Sequence, residues 1–283
     1  MSIKYAEYEI ILTTESPFRV GRKKDPFTTI DQPIVMIGNR VVIPGTTLKG
    51  ALREAIERHL IENYSDKPGM KPCLPATPQT VTPDEMELIR QGKYKGTVCH
   101  YPCMPRRQNN PRCKHVIRFN NAEHWAPEER DIGLHYICPV CYLLGTQGLV
   151  GFVTVPFLYA DVSLYELPAL RIDRVTGTVA TGAYGTYRTY QVVSEGTEFR
   201  GILRILLEDT IKGWKLGEPR PLKGPTLGDL WLKENPEWRN PEKIINELII
   251  ERLKSIRRLG GFKSHGAGYV KIEAKKLEAK NRQ

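Results

Sequence analysis

The 283-residue chain has no apolar run near the roughly 18 residues needed to cross a bilayer. Its opening, MSIKYAEYEI, lacks the basic-then-apolar layout of a secretory leader. Both absences point to a cytoplasmic protein with no membrane partner. A Walker phosphate loop is also missing, because Lys49 follows Gly45 too closely for the G-x-x-x-x-G-K spacing. Gly260, Gly261, Gly266 and Gly268 do not form a dinucleotide fingerprint either. That motif follows a strand and opens a helix, and here a helix comes first and a strand after. Cysteine is nearly absent outside one stretch: of six in the chain, Cys99, Cys103, Cys113, Cys138 and Cys141 fall together.

What is present is a globular composition, 40% apolar, with 42 Lys and Arg against 32 Asp and Glu and a net charge of +10. Such an excess serves a solvated surface or a polyanionic partner, since Lys and Arg displace the counterions of phosphates. The clustered thiols are more pointed. In a reducing compartment grouped cysteines more often bind metal than pair as disulfides. Cys138-Pro-Val-Cys141 is a C-x-x-C knuckle, and Cys99, Cys103 and Cys113 offer the second pair of a tetrahedral zinc site. His100 or His115 can replace one of them, and a buried pair of free thiols is the plainer alternative. No strand–C-x-x-C–helix context supports a thioredoxin-like role.

Alternation in KYAEYEIILT puts Ala6, Tyr8, Ile10 and Leu12 on one face of a strand. Residues 14–40 lack a helical period and read as a long loop that can carry short strands, and RVVIP is a second strand. A helix is predicted from Thr46 to Tyr64, with Leu48, Leu52, Ala55, Ile56 and Leu60 as its apolar stripe and Thr46 or Thr47 as its cap. Its other face carries Lys49, Arg53 and Glu57. They make either a solvated face with one Arg–Glu pair or, at a helix start that already favours anions, a phosphate grip. Prolines from Pro68 to Pro127 forbid long regular elements, so 66–141 reads as an insertion. GFVTVPFLYADV reads as a strand. The segment from 169 to 209 reads as an extended hairpin followed by a strand, whose core candidates are Phe199, Ile202, Leu203, Ile205 and Leu207. Tyr184, Tyr187 and Tyr190 interleave with Arg171, Arg174 and Arg188, which suits base stacking or cross-strand pairing. A helix through Ile245, Leu248, Ile249, Leu253 and Ile256 leads into the glycine-rich loop with Lys263 and His265, then a last strand. That loop is either an RNA approach or an ordinary helix cap and turn.

In chain order the segments TIDQPIV, IPGTTLKGALR, CPVCYLLG, RIDRVTG with GTEF, and LGGFKSHGAGYVKI resemble the RAMP superfamily of CRISPR proteins. The resemblance is nearest to the repeated backbone subunit of type III effector complexes and spans about residues 5–273. It implies an α+β fold: a ferredoxin-like, RRM-type palm with a zinc-bearing insertion and a thumb-like hairpin. Residues 1–65 would open the palm, 66–141 would form the insertion, and 142–283 would complete the palm with a hairpin at about 168–195. The partners implied are guide RNA, target RNA, copies of the chain and other CRISPR effector subunits. Lys49 and Arg53 resemble the family's guide-holding residues, and Arg22, Arg171, Arg174, Lys263 and His265 complete an RNA-binding set. Asp31 resembles the catalytic aspartate of cleaving relatives, with Mg²⁺ or Mn²⁺ required for cutting. Two other readings are a non-cleaving scaffold subunit and a guide-maturation endoribonuclease. The latter would need histidine chemistry, for which the six scattered histidines are a poor endowment.

Overall fold

The alternation around Ile10 becomes β1 (Ile3–Thr14) in the computed structural model, with Ala6, Tyr8, Ile10 and Leu12 all buried. The structure describes residues 2–24, 30–64, 66–70, 72, 138–146, 149–170, 187–220 and 230–278. It is a mixed α and β architecture built on an antiparallel sheet. Two compact units divide the chain. One comprises Glu7–Leu52, Val155–Leu203 and Leu253–Gln283; the other comprises Met1–Ala6, Arg53–Thr154 and Arg204–Arg252.

In the first unit the strands lie in the order β12-β1-β10-β7-β3-β2. Here β2 is Met36–Ile37, β3 is Arg40–Ile43, β7 is Leu158–Ala160, β10 is Glu198–Asp209 and β12 is Val270–Lys276. β12 runs antiparallel to β1 from Tyr8↔Lys276 to Thr14↔Val270. Across the sheet Arg200 faces Tyr159, and Val42 faces Tyr159 from the other side. Ile10, Leu12, Ile43, Leu158, Phe199, Leu203 and Val270 fill the core. Burying each such side chain contributes about 1.5–3 kcal/mol. Ile202 departs from expectation, at 45% exposed. Successive side chains of a strand point to opposite faces, and Phe199, Leu203 and Ile205 take the inward positions. GFVTVPFLYADV is likewise two short strands, β6 (Val153–Thr154) and β7, rather than one. Pro156 lies between them and has no N–H for a ladder.

Helix α1 (Gly45–Tyr64) begins one residue before the predicted start, so Thr46 and Thr47 stand inside its first turn and not at its cap. The carbonyl of Pro44 accepts the Thr47 N–H at 2.9 Å and the Leu48 N–H at 3.4 Å. Leu48, Leu52, Ile56 and Leu60 are fully buried, as the stripe requires. Gly45 is fixed by crowding. A Cβ there would lie 2.7 Å from the Val155 carbonyl oxygen and 3.0 Å from that of Pro156.

The second unit packs around aromatic rings. β6 and β11 (Trp214–Lys215) flank the later half of β10, with Ile205 opposite Val153 and Glu208 opposite Lys215. The helix Pro139–Leu144 is buried along its length. The Tyr142 hydroxyl donates to the Glu218 carbonyl at 2.9 Å and accepts from the Gly217 N–H at 3.0 Å. The Arg220 guanidinium lies 4.2 Å from the Phe152 ring centroid and 4.8 Å from that of Trp214, and it donates to the Tyr142 carbonyl at 2.6 Å. Trp231 and Trp238 are fully buried beside this group. His59 joins Glu247 at 3.2 Å and Arg252 at 3.1 Å, while Tyr64 donates to Glu247 at 2.5 Å. Arg252 can only donate, so His59 Nδ1 is the acceptor and its Nε2–H points at Glu247. Pro241–Lys243, a π-helical segment Ile244–Ile250 and Glu251–Lys254 follow one another as a single helical run. Ile244, Ile245, Leu248, Ile249 and Ile250 are all buried in its wide middle.

Gly45→Ala is expected to destabilise the protein by about 1–3 kcal/mol, the usual effect of forcing a methyl into a packed site. Urea titration checks this as a lower midpoint with an unchanged slope.

Candidate nucleic-acid interface

The segment after β1, read in sequence as a long loop that can carry short strands, is stitched down by three isolated bridges. Phe18 pairs with Val193, Gly21 with Ile34, and Gln32 with Tyr190. The last partner lies on β9 (Tyr187–Val192), which pairs with β8 (Tyr165–Leu170) from Tyr165↔Val192 to Leu170↔Tyr187. These two strands are the base of the expected hairpin.

Arg19 sits at the middle of this stitching and is buried. Its Nη2 donates to the carbonyls of Gln32 and Pro33 at 3.2 and 3.3 Å, and its Nη1 to Gln32 Oε1 at 3.4 Å. The guanidinium carbon stands 4.8 Å from the Phe262 ring centroid and 5.8 Å from that of Tyr190. Burial lowers its pKa, but a guanidinium stays charged at any ordinary pH. Its own carbonyl accepts the Gly261 N–H at 3.0 Å. Gly260 passes so close that a Cβ there would meet this same oxygen at 2.3 Å, and its φ of +83° favours glycine as well.

Phe262 is the one non-glycine residue with positive φ among the described residues, at 57°. A bulky side chain in that region is strained by about 1–3 kcal/mol. Its ring contacts hold it there: edge-on to Tyr190 at 4.6 Å and 87°, and to His265 at 5.6 Å and 80°. The short 3-10 turn Lys263–His265 follows, and both basic residues are exposed.

Asp31 enters the same region through β9. Its Oδ2 accepts the Thr189 N–H at 3.1 Å and its Oδ1 accepts from Lys24 Nζ at 2.6 Å. The Lys24 hydrogen bond, then the Thr189 N–H and the charges of Lys24 and Arg188, hold this carboxyl below the usual carboxylate range. It is an anion throughout the neutral range. Arg22 is exposed, with its backbone N–H bonded to the Pro33 carbonyl at 3.0 Å.

Asp31 and His265 are therefore linked through Thr189, Tyr190 and Phe262, while Arg22 is tied in by its backbone alone and Lys263 adjoins Phe262 in sequence. Arg19, Lys24 and Phe262 join them without having stood out in the sequence. Lys49 is half-buried on the early turns of α1. Arg53 turns elsewhere: its guanidinium donates to the Gly145 carbonyl at 2.7 Å and approaches Cys141 Sγ and Glu57 at 3.6 Å each. The predicted Arg–Glu pair forms, but not on a solvated face, since the two side chains are 20% and 15% exposed. Burial, partly offset by Arg53, raises the Glu57 pKa to about 7. A carboxyl with a raised folded pKa holds its proton more tightly folded than unfolded. Its contribution to stability is thus lost as pH rises from about 4.5 to about 7.

Cys138 precedes the helix Pro139–Leu144 and Cys141 lies one turn inside it, both buried. Cys99, Cys103, Cys113, Arg171 and Arg174 lie outside the described residues. Among the described residues no three His, Cys, Asp or Glu side chains group as a metal site.

An antiparallel sheet with intervening helices sets the class: a mixed α and β protein. A family model narrows this. The RAMP superfamily model matches residues 11–271, and the chain belongs to that family. No curated protein matches the chain. One similar solved structure is a chain from the cryo-EM structure of the Type III-B Cmr-beta bound to cognate target RNA. It is 12% identical with a TM-score of 0.45, and the match covers 96% of this chain and 61% of that one.

Arg19→Lys keeps the charge but loses the fork that reaches two carbonyls and an amide. It is expected to lower stability by about 1–3 kcal/mol. Hydrogen exchange should speed up at the Gly261 and Arg22 amides and stay unchanged in the β1–β12 ladder.

Proposed function

We propose that the chain is a backbone subunit of a type III CRISPR effector complex, holding guide RNA by its phosphates and cutting target RNA beside Asp31. The observation that carries this reading is Asp31 held by Lys24 and the Thr189 N–H beside Arg188, with the Tyr190 and Phe262 rings and His265 joined in sequence of contact from the adjoining β9 position, in a RAMP-family chain. Cations that neutralise phosphates and rings that stack on bases are what a single strand needs. The strand order β12-β1-β10-β7, with helices following β3 and β10, is that of a ferredoxin-like palm. β8 and β9 would be the root of its thumb.

Lys49 also fits a guide-binding role. Its neighbour Gly50 has open space where a Cβ would stand. Glycine inside a helix costs about 0.5–1 kcal/mol relative to alanine, so a bare backbone beside a lysine favours close approach of a phosphate over helix stability.

The depressed pKa makes Asp31 a weak general base, which leaves an electrostatic or ion-recruiting part in cutting. One carboxylate already paired with Lys24 is not a resident divalent-metal site. Mg²⁺ or Mn²⁺ would instead be brought by the phosphates of the target, as Mg²⁺ commonly is. The pairing of both Asp31 oxygens also supports the second reading, a scaffold subunit that binds without cutting.

Cys138 and Cys141 suit half of a structural zinc site. They are buried thiols one turn apart at a helix start, in the C-x-x-C spacing of a zinc knuckle. Two of Cys99, Cys103 and Cys113 would complete it. Elemental analysis of protein purified without chelator is expected to find one zinc per chain. Cys138→Ser should lose it while the β1–β12 ladder keeps its hydrogen-exchange protection.

In the assembled complex, Asp31→Asn should bind target RNA within about twofold of wild type and cleave it about 100-fold more slowly or worse. Equal cleavage by both proteins would place the reaction elsewhere and leave the scaffold reading standing.

A further inference from the structure

We propose that the outer edge of β12 receives an extended, acidic segment of a partner polypeptide as an added strand. This site lies apart from the residues assigned to RNA and does not rest on that assignment. β12 ends the sheet order, so one of its edges meets β1 and the other has no strand beside it among the described residues.

The register shows which backbone groups face out. Glu15 donates to the Tyr269 carbonyl at 2.8 Å and Leu277 to the Glu7 carbonyl at 2.9 Å. The odd-numbered residues between them therefore turn their N–H and C=O toward β1, and the even-numbered ones turn theirs outward. The first outward N–H, of Val270, is taken by the Arg257 carbonyl at 3.0 Å. From Ile272 onward the outward edge has no backbone hydrogen-bond partner among the described residues, and it lines a cleft of about 360 Å³.

That cleft is basic. Lys254 and Arg257 border it from the end of the preceding helix, and Lys271 and Lys275 from the strand, against the single acid Glu273. Lys271 and Glu273 pair at 2.9 Å. Three net positive charges beside a row of alternating donors and acceptors favour a peptide over RNA. A phosphate backbone can accept from the N–H groups, but it would face the outward carbonyls and Glu273 with like charge. The net positive charge argues against a second copy of this chain, because pairing two β12 edges would bring two clefts of like net charge together. An added strand with acids near Lys254, Arg257, Lys271 and Lys275 answers both requirements.

The test uses the full chain and a short fluorescent peptide that alternates glutamate with valine and threonine. A glutamine version and an oligouridylate serve as competing probes. The acidic peptide is expected to bind with an affinity that falls as salt rises, and the glutamine version about tenfold more weakly or worse. Ala274→Pro removes one outward N–H while leaving the β1 ladder intact, and should weaken binding about tenfold. Lys254→Glu with Arg257→Glu, outside the sheet, should do the same and guards against a folding defect in the proline variant. The proposal fails if neither variant changes peptide affinity, or if oligouridylate binds the cleft more tightly than the peptide and loses affinity in the same variants. It also fails if the chain self-associates and Ala274→Pro abolishes that association.

Discussion

A guanidinium with no carboxylate beside it among the described residues organises the first unit. Arg19 replaces its lost water with three contacts to Gln32 and Pro33 and with the faces of Phe262 and Tyr190. A buried charge needs compensating contacts, and here the two Nη atoms bond to one chain segment while the ring faces come from two others, so three segments arrive together. Asp31 stands next to one, Tyr190 is on another, and Lys263 and His265 follow the third. The chemistry at the surface is therefore set from beneath by a residue that would not touch any ligand.

This arrangement explains which parts were legible in the sequence. Periodicity located β1, α1 and the helix through Leu248, because burial of a face leaves a repeat in the apolar residues. Ile202 and the start of α1 were misplaced by local details that tertiary contacts decide. Ile202 falls on the outward parity of β10, and Gly45 is pressed against the carbonyls of Val155 and Pro156. Arg19 and Lys24 were passed over for a different reason. Nothing local distinguishes a buried arginine from the other cations of a basic chain; only the fold shows which one has lost its water.

Arg53 and Lys49 show that similar residues on one helix can do different work. Lys49 stands next to a glycine with open space around it. Arg53 holds the Gly145 carbonyl and reaches the thiol of Cys141, so it ties α1 to the C-x-x-C helix. The paired basic positions in LKGALR thus differ in surroundings: a half-buried lysine beside an uncrowded glycine, then an arginine bonded to the Gly145 carbonyl.

The π-helical stretch from Ile244 to Ile250 has an evolutionary consequence. A π turn takes up one more residue than an α turn of the same rise, and so it is what an α-helix becomes when a residue is inserted and the flanking contacts are kept. Relatives that are one residue shorter there can retain the same helix ends and the same lead into the glycine-rich loop. An equal deletion in α1 would rotate Leu48 and Leu52 against Ile56 and Leu60. Length variation in this family should therefore be tolerated in the helix before the glycine-rich loop and excluded from α1.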